Sequence, residues 1–265
     1  MKKKYLWLVL LPLLCVFGVS CWMIGSELLT GKHEADAFAS LAAALETFAP
    51  ETTTRPASQV PSDSAVPTEP EPIHKRNIAS LTAKNPDCVA WLSFEGTPVD
   101  YPVMYTPAEP QKYLRLNFDG DEYSHSGVPF LDERCTLDGS SLIVYGHNMK
   151  NGTMFSTLCE YIDAAYLTAH PSFEFETAAG CKTYRIFAVA LVGPTDEWYD
   201  SPVADAAELE ALLQNVTEKS VYATGIMPQA GRQLVTLSTC YYGGSGDERL
   251  LLLGYEWEAA DGNGK

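Results

Sequence analysis

The sequence predicts a mainly β domain with added helices, carried behind an N-terminal membrane helix. Three observations point there. An almost unbroken apolar run fills residues 5–25. A polar, proline-rich stretch follows and ends near residue 72. From residue 89 onward, short runs rich in β-branched and aromatic residues alternate with turn residues, the pattern of a barrel or sandwich.

The whole-chain numbers agree. The chain has 265 residues, 46% hydrophobic and 20% charged, enough to pack a core and enough to exclude global disorder. Lysine plus arginine is 18 against 34 for aspartate plus glutamate, a formal charge of -16. That sign argues against a nucleic-acid binder, which displaces counterions from phosphate with basic surface. The seven cysteines include no CxxC pair and no close Cys/His cluster, so neither a structural metal site nor a cofactor is expected.

Taken in order, Lys2, Lys3 and Lys4 precede the apolar run. As a helix, residues 5–25 span about 31 Å, a bilayer core. The basic flank stays in the cytoplasm and puts the remainder outside. Two other readings reach the same compartment. One is a cleaved signal peptide, which calls for a shorter core and a small-x-small cleavage site. The other is a lipoprotein modified at Cys21 after Gly18-Val19-Ser20. Residues 26–72 are expected to be a stalk. Within it Phe38, Leu41, Leu45 and Phe48 share one helical face, so this part reads either as an amphipathic helix near the membrane or as partly disordered chain. Six prolines between Pro50 and Pro72 favour extended, solvated chain.

The folded domain is placed at 73–258, followed by a tail at 259–265. Ile78 and Leu81 start a short helix that must end at Asn85-Pro86. Strands are expected over 89–94, 99–104, 128–131, 141–145, 173–176, 183–192, 234–237 and 250–257. A helix is expected over 153–161. A second begins at Asp205, where Glu208 completes a capping box and Leu209, Leu212, Leu213 and Val216 make an apolar stripe.

Three residues at strand ends carry chemistry. His147 follows Val144-Tyr145-Gly146, Cys240 ends Leu234-Val235-Thr236-Leu237-Ser238-Thr239, and Arg249 opens the next apolar run. A thiolate is a nucleophile, and an imidazole can relay its proton. A guanidinium stays charged and donates directed hydrogen bonds to the oxyanion formed when a carbonyl is attacked. Singly, each has a plainer reading: a buried thiol, a histidine bonded to backbone, a surface charge. Asn148, Ser238 and Thr239 are substrate-binding candidates. Asn148 alternatively holds the loop of His147, and the other two alternatively make strand-end hydrogen bonds.

Tyr145-Gly146-His147-Asn148 and Thr236-Leu237-Ser238-Thr239-Cys240, with Arg249 nine residues later, resemble the sortase signature. Asn85-Pro86-Asp87, Trp91-Leu92, Gly96-Thr97, Asp100-Tyr101-Pro102-Val103 and Phe130-Leu131-Asp132 resemble the class B form, and the likeness covers about residues 75–258. It implies a closed eight-stranded sortase-type β-barrel with peripheral α-helices. It also implies a membrane-anchored cysteine transpeptidase on the outer face of a Gram-positive cell. Cys240 would be the nucleophile, His147 the acid/base and Arg249 the oxyanion stabiliser. A C-terminal sorting signal of a secreted protein would be cleaved to a thioester, then transferred to an amine of a peptidoglycan precursor. The helix after Asp205 is similar to the extra helix of class B. The chain departs from the pattern after Cys240, where Tyr241-Tyr242 and a glycine-rich loop precede Asp247 and Glu248. The aromatic lid motif of pilin-polymerising relatives is missing ahead of the domain. The competing readings are an L,D-transpeptidase-like wall enzyme, a pilus-related sortase, and an inactive wall-binding module. Of the cysteines outside the anchor, Cys88, Cys135, Cys159 and Cys181 leave room for two disulfides whose pairing the sequence does not give, and are expected to be mostly buried thiols.

Overall fold

The computed structural model describes residues 2–46, 75–244 and 246–258. The proline-rich part of the expected stalk, Phe48 and the tail after 258 lie outside the described residues.

Eight strands close a barrel. They are β1 (Cys88–Ser93), β2 (Asp100–Met104), β3 (Phe130–Leu131), β4 (Ser141–Tyr145), β5 (Ser172–Thr177), β6 (Gly180–Val192), β7 (Leu234–Cys240) and β8 (Arg249–Glu256). Their order around the barrel is β1-β2-β3-β4-β7-β8-β6-β5. Two neighbouring pairs, β2 with β3 and β4 with β7, run parallel, and the rest are antiparallel.

The unbroken apolar run Leu250–Leu253 has a physical cause: both faces of β8 are covered. Leu250 and Leu252 point into the barrel core with Leu142, Val144, Val235 and Leu237. Leu251 and Leu253 join an outer layer with Trp198 and Val216. That layer is roofed by α4 (Ala206–Glu218), which begins at the expected capping box. The Asp205 carboxylate accepts from the Ala207 and Glu208 amides at 2.9 and 3.0 Å, and the Glu208 carboxylate accepts from the Asp205 amide at 2.9 Å.

The expected short helix is α2 (Ile78–Lys84), capped by Asn77 and stopped at Asn85, whose backbone is extended before Pro86. The helix expected over 153–161 is a 3-10 helix, Phe155–Ile162. It is followed by α3 (Ala164–Ala169), which only half-buries Tyr166 and Leu167 against the core and is too short to show an apolar stripe.

The N-terminal helix α1 runs from Lys2 to Glu46, far past the apolar run. Its described membrane-candidate part exposes Leu13, Phe17 and Trp22, among others. Farther along, Phe38 and Leu45 are buried and Leu41 half-buried against the barrel domain. These are three of the four residues that share a face in the sequence.

Parallel pairing of β4 with β7 sets Tyr145 opposite Ser238, and antiparallel pairing of β7 with β8 sets Cys240 opposite Arg249. The ends of β4 and β7 and the start of β8 therefore share one rim.

Candidate active site

A cavity of about 510 Å³ opens at this rim, and His147, Cys240 and Arg249 all line it. Ser238 and Thr239 line it as well.

Register places two of the three. Cys240 and Arg249 are directly opposed residues of one ladder, which holds their Cβ atoms about 5 Å apart. The carbonyls of Asp247 and Glu248 lie 3.4 and 3.3 Å from Nη1 of Arg249. The carbonyl of Cys240 accepts a 2.8 Å hydrogen bond from Nδ2 of Asn148. The same amide nitrogen lies 3.2 Å from Sγ of Cys159. Asn148 thus ties the histidine loop to the cysteine strand. The phenol of Tyr242 lies beside the Cys240 thiol, and burial, then that thiol, push the phenol's pKa up.

His147 is held differently. The Gly146 amide donates to the Ser238 carbonyl at 3.1 Å, extending the ladder by one rung. A Cβ on Gly146 would come within 2.6 Å of the Phe155 ring, so this approach needs glycine. Beyond it, Nε2 of His147 lies 3.0 Å from the carbonyl oxygen of Leu114. A carbonyl only accepts, so Nε2 carries the proton and Nδ1 is left for exchange. Burial lowers the His147 pKa. The Leu114 carbonyl opposes that shift and the nearby Arg115 adds to it. Burial accordingly favours the neutral ring. The loop returns to the core at Met154, a buried residue with φ of 56°, a left-handed conformation that costs a side-chain-bearing residue about 1–3 kcal/mol. Its amide donates to the Tyr101 hydroxyl at 3.1 Å.

The opposite wall is a fixed polar network. Asp132 accepts from Arg134 Nε and Nη2 at 2.9 and 3.0 Å and from the Tyr145 hydroxyl at 2.9 Å. Burial alone would raise this carboxyl, but the donors of Arg134 and Tyr145 outweigh it and hold it below the usual range. The Tyr199 hydroxyl and Ser238 Oγ are 3.0 Å apart. Ser238 thus makes a bond of the strand-end kind, whereas the Thr239 hydroxyl is buried with no hydrogen-bond partner.

The remaining thiols of the domain differ in setting. Cys88 and Cys135 are buried, and desolvation pushes them up to about 12 and about 11, which keeps them protonated. Cys159 and Cys181 are half-buried, less covered than expected. All are free among the described residues. Nor do three or more His, Cys, Asp or Glu side chains converge as a metal would require among the described residues.

Sequence reasoning missed several residues of the cavity. The Leu114 carbonyl and Tyr199 come from connections whose composition advertises nothing. Asp132 stands in the sequence only as the end of Phe130-Leu131-Asp132. Asp132 and Arg134 at i, i+2 were the available signal, a pattern that a strand end can turn into a bidentate pair.

Comparison with known proteins agrees with this geometry. Residues 95–256 match the model of the sortase domain family. The chain is 31% identical over 234 residues to sortase B of Listeria monocytogenes, an overlap covering 87% of each chain. Its structure is similar to sortase B of Clostridium perfringens, with a TM-score of 0.62 and 29% identity over 68% of this chain and 99% of that one. It is likewise similar to a Staphylococcus aureus sortase B–substrate complex, with a TM-score of 0.62 and 25% identity over 69% of this chain and 85% of that one.

Proposed function

The chain belongs to the sortase family of cysteine transpeptidases, in class B, and on that premise we propose that Cys240, His147 and Arg249 are its catalytic residues. The supporting observation is that a thiol, an imidazole and a guanidinium, remote in sequence, line one cavity.

The chemistry is acyl transfer. The Cys240 sulfur attacks the scissile carbonyl of a sorting signal as its proton passes to Nδ1 of His147. Arg249 donates hydrogen bonds to the oxyanion. The imidazolium then protonates the leaving amine, and a thioester remains on Cys240. An acceptor amine attacks that thioester, gives up its proton to His147, and expels the sulfur, which regains a proton. The ring must approach the sulfur for this, as catalytic hydrogen bonds tighten when substrate binds.

The substrate is a secreted protein bearing a C-terminal sorting signal, and the acceptor is an amine of a peptidoglycan precursor. The apolar part of α1 crosses the cell membrane with Lys2, Lys3 and Lys4 inside and the barrel outside. Residues 73–258 are the catalytic domain. Asn148, Ser238 and Thr239 border the substrate path.

The test uses the full chain in lipid nanodiscs with a fluorescent sorting-peptide library and a small amine. Amine-dependent product, an acyl adduct on Cys240 by mass spectrometry, and background rates in Cys240→Ala are expected. His147→Ala should lose roughly 10²–10⁴-fold, the size of acid–base catalysis. Cleavage of wall stem peptides lacking any sorting signal would favour the L,D-transpeptidase reading. No turnover with an unlabelled Cys240 would favour an inactive wall-binding module.

A further inference from the structure

We propose that the outer half of α1 is a positioning element of the active site, with Glu34 as its principal residue, and that it acts by fixing the two chain segments that hold His147. This rests on His147 being catalytic.

The first segment is the excursion between β2 and β3. It leaves through Tyr113 and Leu114 and returns through Ser124, His125 and Ser126. Its two limbs are stitched together: the Ser124 amide donates to the Arg115 carbonyl at 2.9 Å, Arg115 Nη1 to the His125 carbonyl at 2.9 Å, and the Val128 amide to the Tyr113 carbonyl at 3.0 Å. They cross so closely that a Cβ on Gly127 would lie 2.5 Å from the Tyr113 oxygen. The outgoing limb carries the Leu114 carbonyl that receives His147. The return limb is gripped by Glu34. Its Oε1 accepts from Ser124 Oγ at 2.7 Å and from the His125 amide at 3.0 Å, and its Oε2 accepts from Ser126 Oγ.

The second segment is the loop from Asn148 to Met154. A Cβ on Gly31 would fall 2.5 Å from Nδ2 of Asn151, so the Asn151 side chain of this loop reaches the helix backbone there. One turn beyond Glu34, Phe38 sets its ring edge-on to Tyr101, centroids 5.4 Å apart. Tyr101 in turn receives the Met154 amide. Gly31, Glu34 and Phe38 are spaced i, i+3, i+7, so one face of one helix meets both supports. Simple tethering to a membrane needs none of these contacts. The Glu34 contacts are polar and directional, and with the Phe38–Tyr101 ring contact they reach the two segments that border His147.

The experiment compares native full chain in nanodiscs with Glu34→Ala, Glu34→Gln, Ser126→Ala and the Glu34→Ala/Ser126→Ala pair, reading kcat, KM for the sorting peptide, and melting temperature. A misplaced catalytic group costs up to about 10²-fold, so Glu34→Ala is expected to lower kcat about 10-fold, with KM within about twofold and little change in melting temperature. Glu34→Gln keeps an acceptor oxygen and should recover most of kcat. The pair should lose little more than Glu34→Ala alone, since both remove one contact. Native kcat in Glu34→Ala overturns the proposal. So does a loss that tracks melting temperature, or a double variant whose losses multiply. His147→Ala, measured alongside, separates the two ideas. An inactive His147→Ala with a fully active Glu34→Ala removes only the coupling, whereas an active His147→Ala removes the catalytic reading and the coupling with it.

Discussion

The two sides of the cavity are built by different means. Cys240 and Arg249 stand on adjacent strands, and ladder register alone makes them neighbours. His147 stands one residue beyond a glycine at a strand end, and its ring is fixed by a carbonyl 33 positions earlier in the chain. Register is a collective property of many backbone hydrogen bonds and resists single substitutions. A side chain held by one carbonyl and two loops depends on a few contacts, each open to attack. The sulfur and guanidinium should therefore respond only to changes in their own chemistry, and the imidazole also to changes in its surroundings.

Arg249→Lys tests the first half and carries the largest expected effect. Position and charge survive, but the planar fork is lost. Turnover should fall roughly 10²–10³-fold, the range for an oxyanion donor, with an unchanged melting temperature. Near-native turnover would make Arg249 structural. Gly146→Ala tests the second half. Its methyl must displace the Phe155 ring, and overpacking of this kind costs about 1–3 kcal/mol. Both denaturant midpoint and kcat should fall, although no functional group has been removed.

Asn148→Ala cuts the bond between the two sides. One such hydrogen bond is worth about 1 kcal/mol, so kcat should drop several-fold at constant KM. A raised KM with constant kcat would instead assign Asn148 to substrate contact. The smallest effect is on pH dependence. Burial holds the folded pKa of His147 below its ordinary value, so the unfolded chain takes up the proton first, near pH 6.5. Stability from the neutral ring is complete above that pH and is lost as pH falls toward the lower folded value. The melting temperature of the native protein should decline through this window more steeply than that of His147→Gln.

What could be read from the sequence follows the same division. Strands, α2 and the Asp205–Glu208 capping box depend on neighbours within a few residues, and all were legible. The strand-end positions of Cys240 and Arg249 were legible too, because the two apolar runs that carry them are separated by only eight residues. The parallel pairing of β4 with β7 was not readable locally, nor was the Leu114 carbonyl, since nothing in a leucine marks its backbone oxygen as a partner. Glu34 was hidden more deeply. Nothing in the sequence around it marks it, and its partners Ser124 and Ser126 are about 90 residues away. α3 escaped because it is six residues long and only half-buries Tyr166 and Leu167.

The parallel β4–β7 pair has a consequence for how this chain can change. Everything between the two strands, including β5, β6 and α4, forms one long detour, in which β5 and β6 complete the barrel wall between β8 and β1. For flexible chain, doubling such a path adds only about 0.6 kcal/mol of closure cost. Surface connections along the detour, such as residues 202–204 before α4, can accordingly gain or lose length while His147 and Cys240 keep their separation. Insertions there would remodel the ground around the reaction without disturbing the reaction itself.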